Sequence, residues 1–279
     1  MTLPFVFQEK VILMKIFDTH THCFPDALAP KALPHLASVC GSPYYGSGTY
    51  NDLKEKVSAV GGCGALILHI ATKPTQMTSV NHFAAACQNG NFYSFGSVFP
   101  TAENAVDELY RIQSLGLKGV KLHPDYQGFF VDDPAVFPVY ETAAKLRLPI
   151  AFHTGFDPYS PNVVHCPPKA LAAVADRFPA LTIIAAHMGG MRMDKEVEAH
   201  LLGKKNVYFD TAYTTYSMNA ARCGELIRRH GIEKVLFATD FPWSTVEAEL
   251  SLLQQCGFTE DELEQICFKN AERLLQITL

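Results

Sequence analysis

The chain has 279 residues, 48% of them hydrophobic and 18% charged, with a formal net charge of −5 at pH 7. That balance favours a buried core over disorder and supplies no basic footprint for nucleic acid. No apolar run approaches the roughly 20 residues that a membrane span needs, so the expected partner is a small-molecule substrate, with no nucleic acid and no membrane.

The opening stretch MTLPFVFQEKVILMKIF lacks the basic flank and small-residue cleavage site of a secretory signal. It is expected to lead into a first strand at 11–17, and the protein is expected to be cytoplasmic. Further apolar runs fall at 64–70, 92–97, 118–122, 149–153, 181–186, 206–209 and 234–238. Several, such as ALILHI and LTIIAA, lack polar alternation, as strands covered on both faces do. Segments of helical period lie between them at 50–60, 78–88, 102–115, 134–146, 167–177, 193–202, 217–230 and 244–255. Thr101 is read as the N-cap of the third helix. Asp133–Pro134 and Pro167–Pro168 set proline in a first helical turn. A last helix, 259–276, opens on Thr259 and Glu262 in the capping-box pattern and is expected across the barrel's outside.

Eight alternating units within this length predict an α/β fold: a single (β/α)8 TIM barrel domain over 1–279 with an additional C-terminal helix. No glycine-rich phosphate fingerprint follows the first strand, against a nucleotide-binding open sheet. The stretch CGSPYYGSGTY (40–50) reads as an active-site loop or a surface excursion. The eight cysteines contain no Cys-x-x-Cys pair and read as reduced thiols. A homodimer is expected by base rate alone.

Histidines close the strand-like runs. His20 and His22 end KIFDTHTH, His69 ends ALILH, His123 ends GVKLH, His153 ends LPIAFH and His187 ends LTIIAAH, while Asp240 ends KVLFATD. Residues i and i+2 of an extended strand share a side, so both rings of His20-x-His22 can face the barrel axis. A divalent metal, zinc by default, takes imidazole nitrogens and a carboxylate and keeps one position open. His20, His22, His153 and Asp240 are the candidate ligands. His187 is the candidate general base, and Asp18 a candidate hydrogen-bond partner for an imidazole. His69 reads as satisfied by a backbone carbonyl. Arg192 is a candidate for an anionic substrate group, and Tyr213 and Trp243 for an apolar wall.

The ordered set DTHTH (18–22), GVKLHP (119–124), FHTG (152–155), AHMGG (186–190), FATDFP (237–242) and KNAERLL (269–275) resembles the amidohydrolase superfamily, in particular the branch containing aminocarboxymuconate-semialdehyde decarboxylase. The resemblance implies a metal-binding barrel with the strand-one pair, the strand-five histidine and the strand-eight aspartate as ligands, and a catalytic strand-six histidine, His187. Some members carboxylate a strand-four lysine to bridge two metals. Lys121, with His123 two residues on, is therefore a candidate for a second metal or, unmodified, for binding a substrate carboxylate.

The main expectation is a hydrolase acting on an ester, lactone or amide through a metal-activated water. The alternative is non-oxidative decarboxylation of an unsaturated or aromatic acid. A third reading, a barrel that binds metal without catalysis, is disfavoured because all five core positions carry competent residues.

Overall fold

The computed structural model describes residues 14–279. Eight parallel strands run in chain order: β1 Phe17–Thr21, β2 Gly64–Leu68, β3 Phe92–Phe95, β4 Val120–Leu122, β5 Ile150–Phe152, β6 Ile183–Ala185, β7 Val207–Asp210 and β8 Val235–Leu236. They pair as β1-β2-β3 and β4-β5-β6-β7-β8. Two bridges close the ring: Gly96 pairs with Val120, and Thr21 with Phe241. At the second junction the Thr19 N–H donates to Phe237 O at 2.9 Å, and the Asp240 N–H to His20 O at 2.8 Å. The expected barrel is thus present. Among the described residues, no helix is long and apolar enough to cross a membrane.

Strand alternation sorts side chains into two layers. Ile150 and Phe152, like Ile183 and Ala185, pack in the cluster shared with the surrounding helices. Ala151 and Ile184 join Phe17, Leu66, Phe95 and Leu236 in an inner cluster. By the same alternation Val120 and Leu122 face the helices, so Lys121 between them faces the barrel interior.

Several boundaries differ from expectation. The first strand lies at 17–21, not 11–17; residues 11–13 fall outside the described residues, and 14–16 are not in a strand. Polar Asp18, Thr19, His20 and Thr21 are all buried. An apolar-run criterion therefore stops short of the strand that carries the site. The helix expected at 102–115 spans Ala105–Ser114 behind Asn104, and Thr101 does not cap it. The expected C-terminal helix is three pieces: Glu260–Glu264, a π-helical turn Gln265–Lys269, and Asn270–Leu275. Its capping box at Thr259 and Glu262 is formed. Ala271 and Leu275 pack with the inner cluster, so this segment covers the barrel floor rather than its outer wall. Asn270 fixes it there, donating to Ile232 O and Val235 O, both at 2.7 Å. The helix Ala29–Cys40, with Pro34 inside it, was not anticipated.

Candidate active site

All ten residues singled out for the site line one cavity of about 710 Å³: His20, His22, Lys121, His123, His153, His187, Arg192, Tyr213, Asp240 and Trp243. They occupy or follow strand C-terminal ends, where barrel loops can be varied without disturbing the core. His187, Arg192, Tyr213 and Asp240 are non-glycine residues at positive φ (57° to 68°). Each such residue costs on the order of 1–3 kcal/mol, a strain that the surrounding fold must hold in place.

Three side chains converge most closely. His20 Nε2 and His22 Nε2 are 3.2 Å apart, and Asp240 Oδ1 lies 3.3 Å from the first and 3.2 Å from the second. Their outer nitrogens settle the tautomers. His22 Nδ1 is 2.7 Å from Leu68 O, an acceptor only, so Nδ1 carries the proton. His20 Nδ1 is 2.8 Å from Asp210 Oδ2 and donates likewise. Both Nε2 lone pairs then point at one another and at a carboxylate. Three mutually facing acceptors repel unless a cation sits among them, so the residues present fit a divalent metal. Among the described residues, the amine that reaches this group is Lys121 Nζ, 3.4 Å from His20 Nε2.

Burial, then the Lys121 charge, pushes His20 well below the ordinary imidazole range, leaving it neutral as a ligand must be. Burial would raise the Asp240 carboxyl; it comes down to about 2 only when positive charge stands at His20 and His22, and with both rings neutral that charge is a cation's to supply. Lys121, fully buried, is brought down to about 8 by desolvation.

His153 stands in a neighbouring group with His123 and Asp157. Its Nδ1 is 3.0 Å from His187 Nε2. His187 Nδ1 donates to Ala212 O at 3.0 Å, which leaves its Nε2 as a lone pair. His153 Nε2 lies 3.4 Å from Phe156 O and 3.3 Å from Asp157 Oδ2, both acceptors, and so carries the proton; its Nδ1 then faces His187 Nε2 lone pair to lone pair, an arrangement that needs a proton or a cation between them. His123 Nδ1 accepts from the Tyr126 N–H at 3.4 Å, so its Nε2–H also points at Asp157, 3.5 Å away. The rings of His123 and His153 stack at 4.3 Å. Burial pushes Asp157 up to about 6, and burial also holds His153 and His187 down at about 4.

The remaining candidates form the walls. Arg192 lies over the Phe156 ring at 5.0 Å. Tyr213 stacks on Tyr216 at 4.2 Å and donates to Ser42 Oγ at 3.1 Å. Cys40, Gly41, Ser42 and Pro43 reach the cavity, so the start of the 40–50 stretch does border the site.

Two expectations are corrected. Asp18 touches no imidazole; it accepts from Thr239 Oγ1 at 2.5 Å and the Thr239 N–H at 3.0 Å. The imidazole partner is Asp210, which also accepts from the N–H of His187 at 2.8 Å and of Ala212 at 3.2 Å. Its signal was a carboxylate closing VYFD just as Asp240 closes FATD. His69 meets Ser94 Oγ at 3.4 Å rather than a carbonyl. It stands with Cys23 and Cys87 in a buried cluster. Asp157 had no signal, because only folding brings its loop over the barrel.

Known proteins point the same way. The sequence pattern of the amidohydrolase family matches residues 18–277. Decarboxylase orsB of Emericella nidulans is 24% identical over 127 residues, 38% of each chain. The 2-amino-3-carboxymuconate-6-semialdehyde decarboxylase of Dictyostelium discoideum is 30% identical over 117 residues, 36% of this chain and 33% of that one. These matches thus span little more than a third of the curated relatives' length. The crystal structure of 5-carboxyvanillate decarboxylase from Novosphingobium aromaticivorans, with bound manganese, superposes with a TM-score of 0.69 at 15% identity, covering 95% of this chain and 97% of that one. Matched from its first strand to its last helix, the chain belongs to the amidohydrolase family.

Proposed function

We propose that this protein is a metal-dependent decarboxylase that removes CO2 without oxidation from an unsaturated or aromatic carboxylic acid. Both curated relatives are decarboxylases, which supports this reading over hydrolysis of an ester, lactone or amide. The observation that carries it in the site is a buried Lys121 amine beside the acceptor triad, in a cavity walled by Tyr126, Phe156, Tyr213 and Trp243. An aromatic ring suits those walls, and a low-dielectric cavity favours loss of a carboxylate as neutral CO2.

His20, His22 and Asp240 would hold one divalent ion, zinc or manganese, which would draw electron density from the acid's oxygen atoms, whereas His153, the fourth expected ligand, stands in the neighbouring group with His123 and Asp157. Lys121 binds and orients the carboxylate as an unmodified cation. A carboxylated Lys121 bridging a second metal is disfavoured, because His123 presents a proton and not a lone pair to Asp157. As the C–C bond breaks, its electron pair stays on the substrate carbon, which then takes a proton. His187 moves that proton at Nε2, and Asp157, at about 6, is where it can rest.

The metal-loaded protein, incubated with hydroxybenzoates and unsaturated acids in heavy water, is expected to release CO2 and leave one deuterium on the vacated carbon. Ester, lactone or amide cleavage that carries solvent oxygen into product, with no CO2 released, would overturn the reading.

A further inference from the structure

The cavity exceeds what a single-ring acid fills: at about 710 Å³ it falls in the range of roughly 300–1,000 Å³ that encloses drug-sized ligands. Its surfaces are also segregated. The charged and metal-competent groups come from β1 and from the strand ends β4, β5, β6 and β8. The segments after β1 and β2, with the helices Ala29–Cys40 and Met77–Ala86 that they carry, contribute Leu28, Leu36, Ile70, Val80 and Phe83 to the same cavity. Among the described residues no Asp, Glu, Lys or Arg lines this second wall, and several of its polar groups are turned on one another. Gln76 Oε1 accepts from both the N–H and the hydroxyl of Thr72 at 3.0 Å, and Ser79 Oγ donates to Gln76 O at 3.0 Å. Ile70, Leu36, Val80 and Phe83 are half-buried, and Leu28 is 49% exposed. An apolar strip therefore runs from the reacting end toward solvent, where a protein with nothing to bind there would gain by being polar.

We infer that this strip is a binding arm for an alkyl substituent, so that the substrate is an aromatic or unsaturated acid bearing a hydrocarbon chain. The inference names the substrate class of the decarboxylase proposed above and rests on that reading for its chemistry, though the arm itself binds by hydrophobic burial alone. A carboxylated or sugar-bearing substituent would find no counter-charge on this wall and few free polar atoms.

The test separates binding from turnover. Methyl-, propyl- and pentyl-resorcinol, which are ring products without a carboxylate, are titrated calorimetrically against the full-length metal-loaded protein. The matching alkyl hydroxybenzoates are assayed for CO2 release. Affinity should rise with each added methylene, by up to roughly fourfold. Leu36→Asn and Ile70→Thr should each shrink the pentyl-to-methyl affinity ratio, and circular dichroism checks that both variants stay folded. Affinity that is flat or falls with chain length overturns the arm. Turnover of the acids with no chain dependence would sink the arm and leave the decarboxylase standing. A chain gradient in binding with no CO2 from any acid would keep the arm and sink the decarboxylase.

Discussion

His20, His22 and Asp240, and in the neighbouring group His123, His153 and Asp157, each bring two imidazoles to one carboxylate. In the first group both outer nitrogens are locked as donors, by Leu68 O and by Asp210, so lone pairs converge. In the second, His123 spends its lone pair on a backbone N–H and turns a proton inward. The carboxylates diverge: Asp240 comes down to about 2 given positive charge beside its imidazoles, whereas burial takes Asp157 up to about 6. The same residue types thus converge lone pairs in one place, as the proposed cation site requires, and turn a proton inward in the other, and what decides between them is which group meets the far nitrogen.

The harshest way to break that contrast is Asp240→Ala. It removes a charge from the first group and should weaken metal binding by more than about a hundredfold, beyond the loss of an outer partner, with activity lost alongside. Metal analysis after dialysis reads it; a variant that kept its full metal content would remove Asp240 from the ligand set. His187→Asn tests the other side. Activity should fall by about 10²–10⁴-fold while metal content holds, and metal lost in step with activity would merge the two groups into one. Asp210→Asn should be milder. With the His20 Nδ1 proton less firmly held, metal affinity should drop by about 10–100-fold, and a competition titration with a chelator measures it. An unchanged affinity would mean that the carboxylate serves only the backbone of His187 and Ala212.

The barrel was legible because its strands fall in short, mostly apolar runs bounded by helical periods, four of them (GALIL, IAF, IIA and VL) with no polar side chain at all. The failures share one cause, burial of residues that look exposed. DTHT is polar as written, yet it forms a strand walled on both sides, and nothing local announces that. The helix Ala29–Cys40 contains Pro34, and a proline there argues against a helix until tertiary packing overrides it. Of the site, the strand-end histidines could be found because imidazoles terminating apolar runs are conspicuous. Their partners were harder: Asp210 closes VYFD as Asp240 closes FATD, but nothing in the sequence assigns it, and not Asp18, to His20. Asp210 differs from Asp18 only in which element crosses behind His20, and Asp157 depends on a loop tied down by Asp125, which accepts from His165 Nδ1 at 2.8 Å and from Ser160.

The smallest effect should come from Glu249, which braces the loops after β7 and β8, behind the metal side of the contrast. It accepts from Ser244 Oγ and Thr215 Oγ1, each at 2.7 Å, and from the Thr215 N–H at 3.2 Å. Burial pushes its carboxyl up to about 7 despite those donors. The folded state therefore keeps a proton that the unfolded chain gives up near its ordinary carboxyl value. Stability should fall as pH rises from about 4.5 to about 7, by up to about 3 kcal/mol in total, and level off above that. Glu249→Gln imitates the neutral acid and should flatten this slope while leaving metal content unchanged. Urea unfolding of both proteins across that pH range decides it. If the wild-type curve shows no steeper fall than the variant's, then Glu249 is ionised in the fold, and the metal-side loops are held by a charge after all.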